Sequence, residues 1–181
     1  MTAYDQNNIF ARILRGEIPS VKVWEDDDVL AFMDVFPQSE GHVLVVSKTS
    51  QARNLLEIEP DALAKLTAAV QRTARAVEKA LKPEGLSLMQ FNGEAGGQTV
   101  FHLHFHIVPR WADRAMKGHG HAPMADAEQL KALAARPATS TSSATTISST
   151  ISTPARRRRW PRCWRTGGRS PCSACGSMRS G

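Results

Sequence analysis

Gly96-Gly97-Gln98-Thr99-Val100-Phe101-His102-Leu103-His104-Phe105-His106-Ile107-Val108-Pro109-Arg110 is the stretch on which the reading of this chain turns. Side chains on a β-strand alternate between two faces. A strand over residues 100–108 therefore sets His102, His104 and His106 on one face, in steps of about 6.5–7 Å. Phe101, Leu103, Phe105 and Ile107 point the other way, into a core. A single histidine on an apolar strand is ordinarily structural. Three at period two, behind a glycine-rich loop, point to chemistry. A neutral imidazole is a nucleophile at physiological pH, and a protonated one donates to anionic oxygens. Gly96 and Gly97 permit close backbone approach, and the Gln98 amide and Thr99 hydroxyl add hydrogen-bonding groups. Such a row beside such a loop suits attack at phosphorus, with no metal or other cofactor required.

Working outward, residues 8–15 read as a short helix with Ile9, Phe10, Ile13 and Leu14 on one face and Gly16 at its end. Residues 21–25 alternate as a strand, Asp26-Asp27-Asp28 turns the chain, and residues 29–33 return as the other half of a hairpin. The three aspartates read as a solvated turn, because no second cluster of cation ligands follows. Residues 42–46 form a buried strand. Over 60–81 the apolar positions recur at three- and four-residue steps, from Leu63 and Leu66 to Val77 and Leu81, which predicts the main helix. Pro60 suits its start, and Pro83 with Gly85 its stop. Residues 86–91 are a further strand, 92–99 a loop, and Pro109 closes the strand that carries the histidines. A last short helix is expected over 125–136, with Leu130 and Leu133 inward. The order predicts an α+β fold: a five-stranded, mostly antiparallel sheet with one long and one short helix.

The average composition conceals two different compositions. Residues 1–136 carry 15 Lys/Arg and 17 Asp/Glu, a net charge of −2; residues 137–181 carry 8 Arg and no acid, a net of +8. The basic character therefore belongs to the tail, and nucleic-acid binding is not expected of the domain. Residues 139–153 hold 12 Ser/Thr in 15 positions, followed by Arg156-Arg157-Arg158-Arg159-Trp160. A domain over 1–136 and a disordered tail over 137–181 are expected. The abrupt change inside a helical pattern near Arg136 reads as a shift of reading frame. All three cysteines, Cys163, Cys172 and Cys175, lie in the tail, so the domain has no disulfide framework. No apolar signal segment opens the chain, and no run approaches the ~20 apolar residues of a membrane span, so a cytoplasmic protein without membrane contact is expected.

The run His102-Leu103-His104-Phe105-His106-Ile107 resembles the His-φ-His-φ-His-φ signature (φ apolar) of the histidine triad family. The resemblance extends from about Asn8 to Arg110 and takes in the loop Asn92-Gly93-Glu94-Ala95-Gly96-Gly97-Gln98-Thr99. It implies a hydrolase or transferase acting at the α-phosphate of a purine nucleotide through a covalent nucleotidyl-histidine. By that resemblance His104 is the nucleophile, and His106 contacts the phosphate and assists the leaving group. His102 orients the His104 ring, and His42 supports His102 from the neighbouring strand. Asn92, Gly97 and Thr99 match phosphate-binding positions. Ile9, Phe10, Ile13, Phe32 and Val35 match the lining of the base pocket, and Asp34 the carboxylate that holds the ribose hydroxyls. A homodimer is implied as well. Pro109-Arg110 resembles bacterial and dinucleoside-polyphosphate-cleaving members, whereas the segment from Asn7 to Lys48 resembles phosphoramidate-cleaving ones. Two other readings of the same residues stay open. One is a zinc site, for which His119 and His121 offer further imidazoles. The other is a nucleotide-binding regulator with negligible turnover.

Overall fold

Asn8 starts the ordered architecture. Its side chain accepts hydrogen bonds from the Phe10 and Ala11 amides and so caps helix α1 (Ile9–Leu14). In the computed structural model, residues 3–118 and 122–136 are described. His119, His121 and the 137–181 tail lie outside them, as do the expectations attached to that tail. A hairpin follows α1, made of β1 (Lys22–Glu25) and β2 (Val29–Met33). The Asp26 carboxylate accepts from the Asp28 and Val29 amides, so this acidic run makes the turn expected of it. Next come β3 (Val43–Ser47), α2 (Pro60–Leu81), β4 (Gly85–Met89), a 3₁₀ turn (Glu94–Gly96), β5 (His104–Arg110) and α3 (Ala127–Ala134). The five strands form one antiparallel sheet in the order β1-β2-β3-β5-β4, the α+β arrangement expected. No helix among the described residues is long and apolar enough to cross a membrane.

Both faces of the sheet are covered. On one, Leu66, Ala69, Val70 and Val77 of α2 pack on Ala31, Val43, Val45 and Ile107. On the other, Phe10 of α1 packs on Leu30, Phe32, Leu44 and Val46. This is why β2 and β3 are buried along their whole length, and why they read as continuous apolar runs. In register, Leu44 faces His106 and Val46 faces His104, which puts both imidazoles on the α1 side.

The strand that carries the histidines departs from the sequence reading at both ends. It begins at His104 rather than residue 100, because the Leu103 amide donates to the Ala52 carbonyl and not to a neighbouring strand. Phe101 is consequently 38% exposed rather than in the core, while Leu103 is fully buried. Pro109 continues the strand instead of closing it. It pairs with Leu86 of β4, and its carbonyl accepts from Ser39 Oγ on the side that β3 has already left. The missing N–H therefore falls where no ladder needs it. The last helix is shorter at both ends than expected and is capped by Asp126.

Gly41 fixes where β3 begins. Its φ is +77°, and a Cβ there would run into Leu81 Cδ1 at the end of α2. Gly16 has a similar φ of +75° with nothing within 4 Å. Gly16→Ala is therefore expected to cost about 1–2 kcal/mol of backbone strain. Gly41→Ala must also displace the end of the flexible Leu81 side chain, which is expected to add an overpacking penalty at the low end, about 1 kcal/mol. Urea denaturation of the two variants measures the difference; equal losses would mean that the α2 contact does not position this turn.

Candidate active site

Four imidazoles are buried together on the α1 side of the sheet. His104 sits at the start of β5, 4% exposed, with the Phe10 ring roughly perpendicular to its own and the two ring centres 4.9 Å apart. Its Nδ1 lies 2.7 Å from the His102 carbonyl oxygen. A carbonyl only accepts, so the proton is on Nδ1 and the lone pair on Nε2. The His106 ring is two residues on, 4.8 Å from that of His104.

His102 lies just outside the strand. Its Nε2–H donates to the Ser47 carbonyl (3.1 Å), and its Nδ1 accepts from the Tyr4 hydroxyl (2.6 Å). Burial drives its pKa down to about 4; the bond to Ser47 opposes this and the neighbouring His104 adds to it. It touches the His104 ring through its backbone oxygen. Tyr4 was not legible in the sequence, since a lone tyrosine in a polar terminal segment carries no periodic or motif signal.

His42 does not support His102. Its Nε2 is 3.0 Å from His106 Nδ1. The register explains the difference: β3 begins at Val43, opposite Ile107, so His42 is at the His106 end of the pairing and His102 beyond the other. At Nδ1, His42 meets the Gln38 amide (3.2 Å) and Asp34 Oδ2 (3.3 Å). Asp34, His42 and His106 bring ligand-type atoms within 4.8 Å of one another. Both nitrogens of His42 face hydrogen-bonding groups already.

A cavity of about 310 Å³ opens in front of His104 and His106. Ile9, Phe10, Ile13, Phe32, Asp34, Val35 and Thr99 line it, all of them residues expected at a nucleotide site. Ile18, Pro19, Ser20, Met33, Phe36, Leu44 and Val100 line it too and were not anticipated. An apolar Ile-Pro pair in the loop after Gly16 was the signal available for the first of these. A larger cleft of about 650 Å³ between α2 and β4 includes Arg75, Glu78 and Glu84 in its lining but no histidine, cysteine or serine.

The loop before β5 works differently from expectation at two positions. Gln98 is 2% exposed; its amide donates to the Arg53 and Val100 carbonyls and accepts from the Gly93 amide. It stitches the loop together and does not reach the cavity. Asn92 accepts from the Leu55 amide and donates to Gln90 Oε1, outside the cavity lining. Gly97, with φ +90°, turns the chain after the 3₁₀ turn against the Phe91 ring and also lies outside the lining.

His102 makes folding pH-dependent. Its folded pKa is near 4 and its unfolded value is the ordinary 6.5. Stability it contributes is fully present above pH 6.5 and is lost as pH falls toward 4, because the unfolded chain takes up the proton first. The loss is expected to reach about 3 kcal/mol. Urea midpoints measured between pH 7 and 4 should fall less steeply in His102→Asn than in the wild type; parallel curves would mean that His102 titrates normally.

The chain matches the HIT domain family model over residues 15–113. It is 43% identical over 115 residues to "Protein hit" of Bacillus subtilis (strain 168), covering 64% of this chain and 76% of that one. It is 39% identical over 102 residues to adenosine 5'-monophosphoramidase hnt1 of Schizosaccharomyces pombe, covering 56% and 73%. Among solved structures, a Hit-like protein involved in cell-cycle regulation from Bartonella henselae superimposes with a TM-score of 0.69 at 48% identity, over 74% of this chain and 95% of that one. With its three alternating histidines, its glycine-rich loop and a family match across more than half its length, the chain belongs to the HIT family.

Proposed function

We propose that this protein transfers the nucleotidyl group of a purine nucleotide derivative to His104 and then to water. The observation that carries this reading is the His104 Nδ1–H bond to the His102 carbonyl, which leaves the Nε2 lone pair as the nucleophile at the wall of the cavity. Nε2 attacks the α-phosphorus, and His106 gives the leaving group its proton. Water then cleaves the nucleotidyl-histidine and restores the ring. The apolar wall of Ile9, Phe10, Ile13, Phe32 and Val35 suits a flat purine, and Asp34 suits the ribose diol. The Thr99 hydroxyl, on the cavity lining, supplies a donor for the phosphate.

Two substrate classes fit, nucleoside phosphoramidates and dinucleoside polyphosphates. The name of the fission-yeast relative, a monophosphoramidase, favours the first. No step needs a metal. A homodimer in the cytoplasm is the expected working form: among the described residues β4 lies at the edge of the sheet with β5 as its one strand partner, and Leu88 on it is 54% exposed. A second copy of β4 would cover that edge.

The test is AMP release from an adenosine phosphoramidate and from a diadenosine polyphosphate, with EDTA present. His104→Ala is expected to lower turnover at least about 10³-fold while AMP binding persists. Activity surviving in this variant would mean that another group is the nucleophile, and loss of activity to EDTA would favour the zinc reading. Binding of AMP without turnover in the wild type would favour a regulator. Removal of residues 138–181 is expected to leave kcat/KM unchanged, because every group named here lies between Tyr4 and His106; a loss of activity would give the tail a part in catalysis.

A further inference from the structure

The polar side chains on the lining of the cavity are Ser20, Asp34, Thr99, His104 and His106. Thr99 and the two histidines belong to one stretch of chain and stand together at the reacting end. Ser20 comes from elsewhere, and the pairing of β1 with β2 fixes where it points. Lys22 is opposite Phe32. One residue further, the Met33 amide donates to the Val21 carbonyl at 2.9 Å. The next pair in this antiparallel register is Ser20 with Asp34. Directly opposed residues share a face, with Cβ atoms about 4.5–5.5 Å apart. The packing agrees. Val21 and Met33 join the core under α2, whereas Phe32 packs against Phe10 on the α1 side. Ser20 and Asp34 are in phase with Phe32, and both line the cavity.

A carboxylate accepts hydrogen bonds and donates none. Asp34 can take the protons of a sugar's hydroxyls but offers nothing to their oxygens. Its Oδ1 already accepts from the Phe36 amide, which fixes the carboxylate in place. A hydroxyl donates as well as accepts, so Ser20 supplies what Asp34 lacks. The Ser20 side chain is half-buried. Among the described residues its hydroxyl forms no hydrogen bond, unlike Ser39, which donates to the Pro109 carbonyl, and Ser47, which accepts from the Ser50 amide. The Ile9, Phe10 and Ile13 side chains of α1 carry no polar atom, so the donor stands beside the carboxylate and not along the flat apolar wall.

We propose that Ser20 is a specificity-determining residue that donates to a ribose hydroxyl held by Asp34, so that the pair selects ribonucleotides over deoxyribonucleotides. This rests on the nucleotide reading above. The two side chains together match a vicinal diol. Both sugar hydroxyls donate to the Asp34 carboxylate, and the oxygen of one accepts from Ser20. A sugar that lacks that hydroxyl leaves Ser20 without a partner and Asp34 with one donor fewer. An unmade hydrogen bond in a half-buried site is what rejects it.

Calorimetric titration of the full-length chain with AMP, 2′-deoxy-AMP and 3′-deoxy-AMP tests the assignment, and it reads binding whether or not the protein turns over. Ser20→Ala is expected to weaken AMP binding about 3–10-fold, the range of one hydrogen bond between neutral groups. One deoxynucleotide, the one without the hydroxyl that Ser20 meets, should bind wild type and Ser20→Ala equally. Ser20→Thr keeps the hydroxyl and should bind AMP more tightly than Ser20→Ala does. The urea midpoint of Ser20→Ala should match that of the wild type, which separates a lost ligand contact from a damaged fold. Equal weakening of AMP and both deoxynucleotides would put Ser20 on the base or the phosphate, and unchanged AMP binding would put it outside the site; either result overturns the assignment while leaving the nucleotide reading intact. Failure of AMP to bind the wild type would overturn the nucleotide reading, and the sugar contact with it.

Discussion

The antiparallel pairing of β3 with β5 is the constraint from which the site follows. These strands occupy the middle of the sheet, and their register sets Val46 against His104 and Leu44 against His106. Because side chains alternate, one register choice sends both imidazoles to the α1 face and Phe105 and Ile107 to the α2 face. A slip of one residue would bury the histidines under α2 and expose an apolar row. The fully buried β2 and β3 leave no such slip available, since Val43 and Val45 already pack under α2 and Leu44 and Val46 under Phe10.

Burying four imidazoles has to be compensated, because an unsatisfied buried polar group costs about 1–3 kcal/mol. The compensation also sets the chemistry. His104 satisfies Nδ1 with a backbone carbonyl, and this same bond decides which nitrogen is the nucleophile. His102 uses Ser47 and Tyr4, and its burial keeps it neutral over the physiological range. His42 and His106 satisfy each other. Backbone acceptors give His102 and His104 a single tautomer each. In the His42–His106 contact the Gln38 amide donates to His42 Nδ1, so a neutral His42 carries its proton on Nε2 and donates to His106.

Much of this was legible in the sequence, for local reasons. The main helix, the hairpin and the apolar β3 show their periods within a short window, and Pro60–Leu81 has the bounds that period gives. The alternating histidines announced the site, and the apolar residues of α1 and β2 announced its wall. What was not legible depends on distant partners. The start of β5 is set by the Ala52 carbonyl, and the partner of His42 is set by which end of β3 it occupies. Asn92 and Gln98 look like ligand-binding amides in a glycine-rich loop. Only the folded chain reveals that the Leu55 amide and the Arg53 carbonyl have claimed them. Tyr4 has no sequence signal at all.

The loop carrying Asp34 and Gln38 is held from outside as well as from within. The Gln38 carbonyl accepts from the Lys117 amide, and the Gln38 side chain donates to the Lys117 carbonyl. The Val35 carbonyl accepts from the Ala125 amide. The segment after β5 thus grips residues 35–38 at two points, and those residues flank the groups that meet at His42 Nδ1. Backbone hydrogen bonds of this kind transmit position and not side-chain identity. A segment whose sequence differs can therefore keep the same grip on the loop that carries Asp34 and Gln38. The triad is placed by β3 and β5, and the loop beside it is held by chain that lies outside the cavity lining.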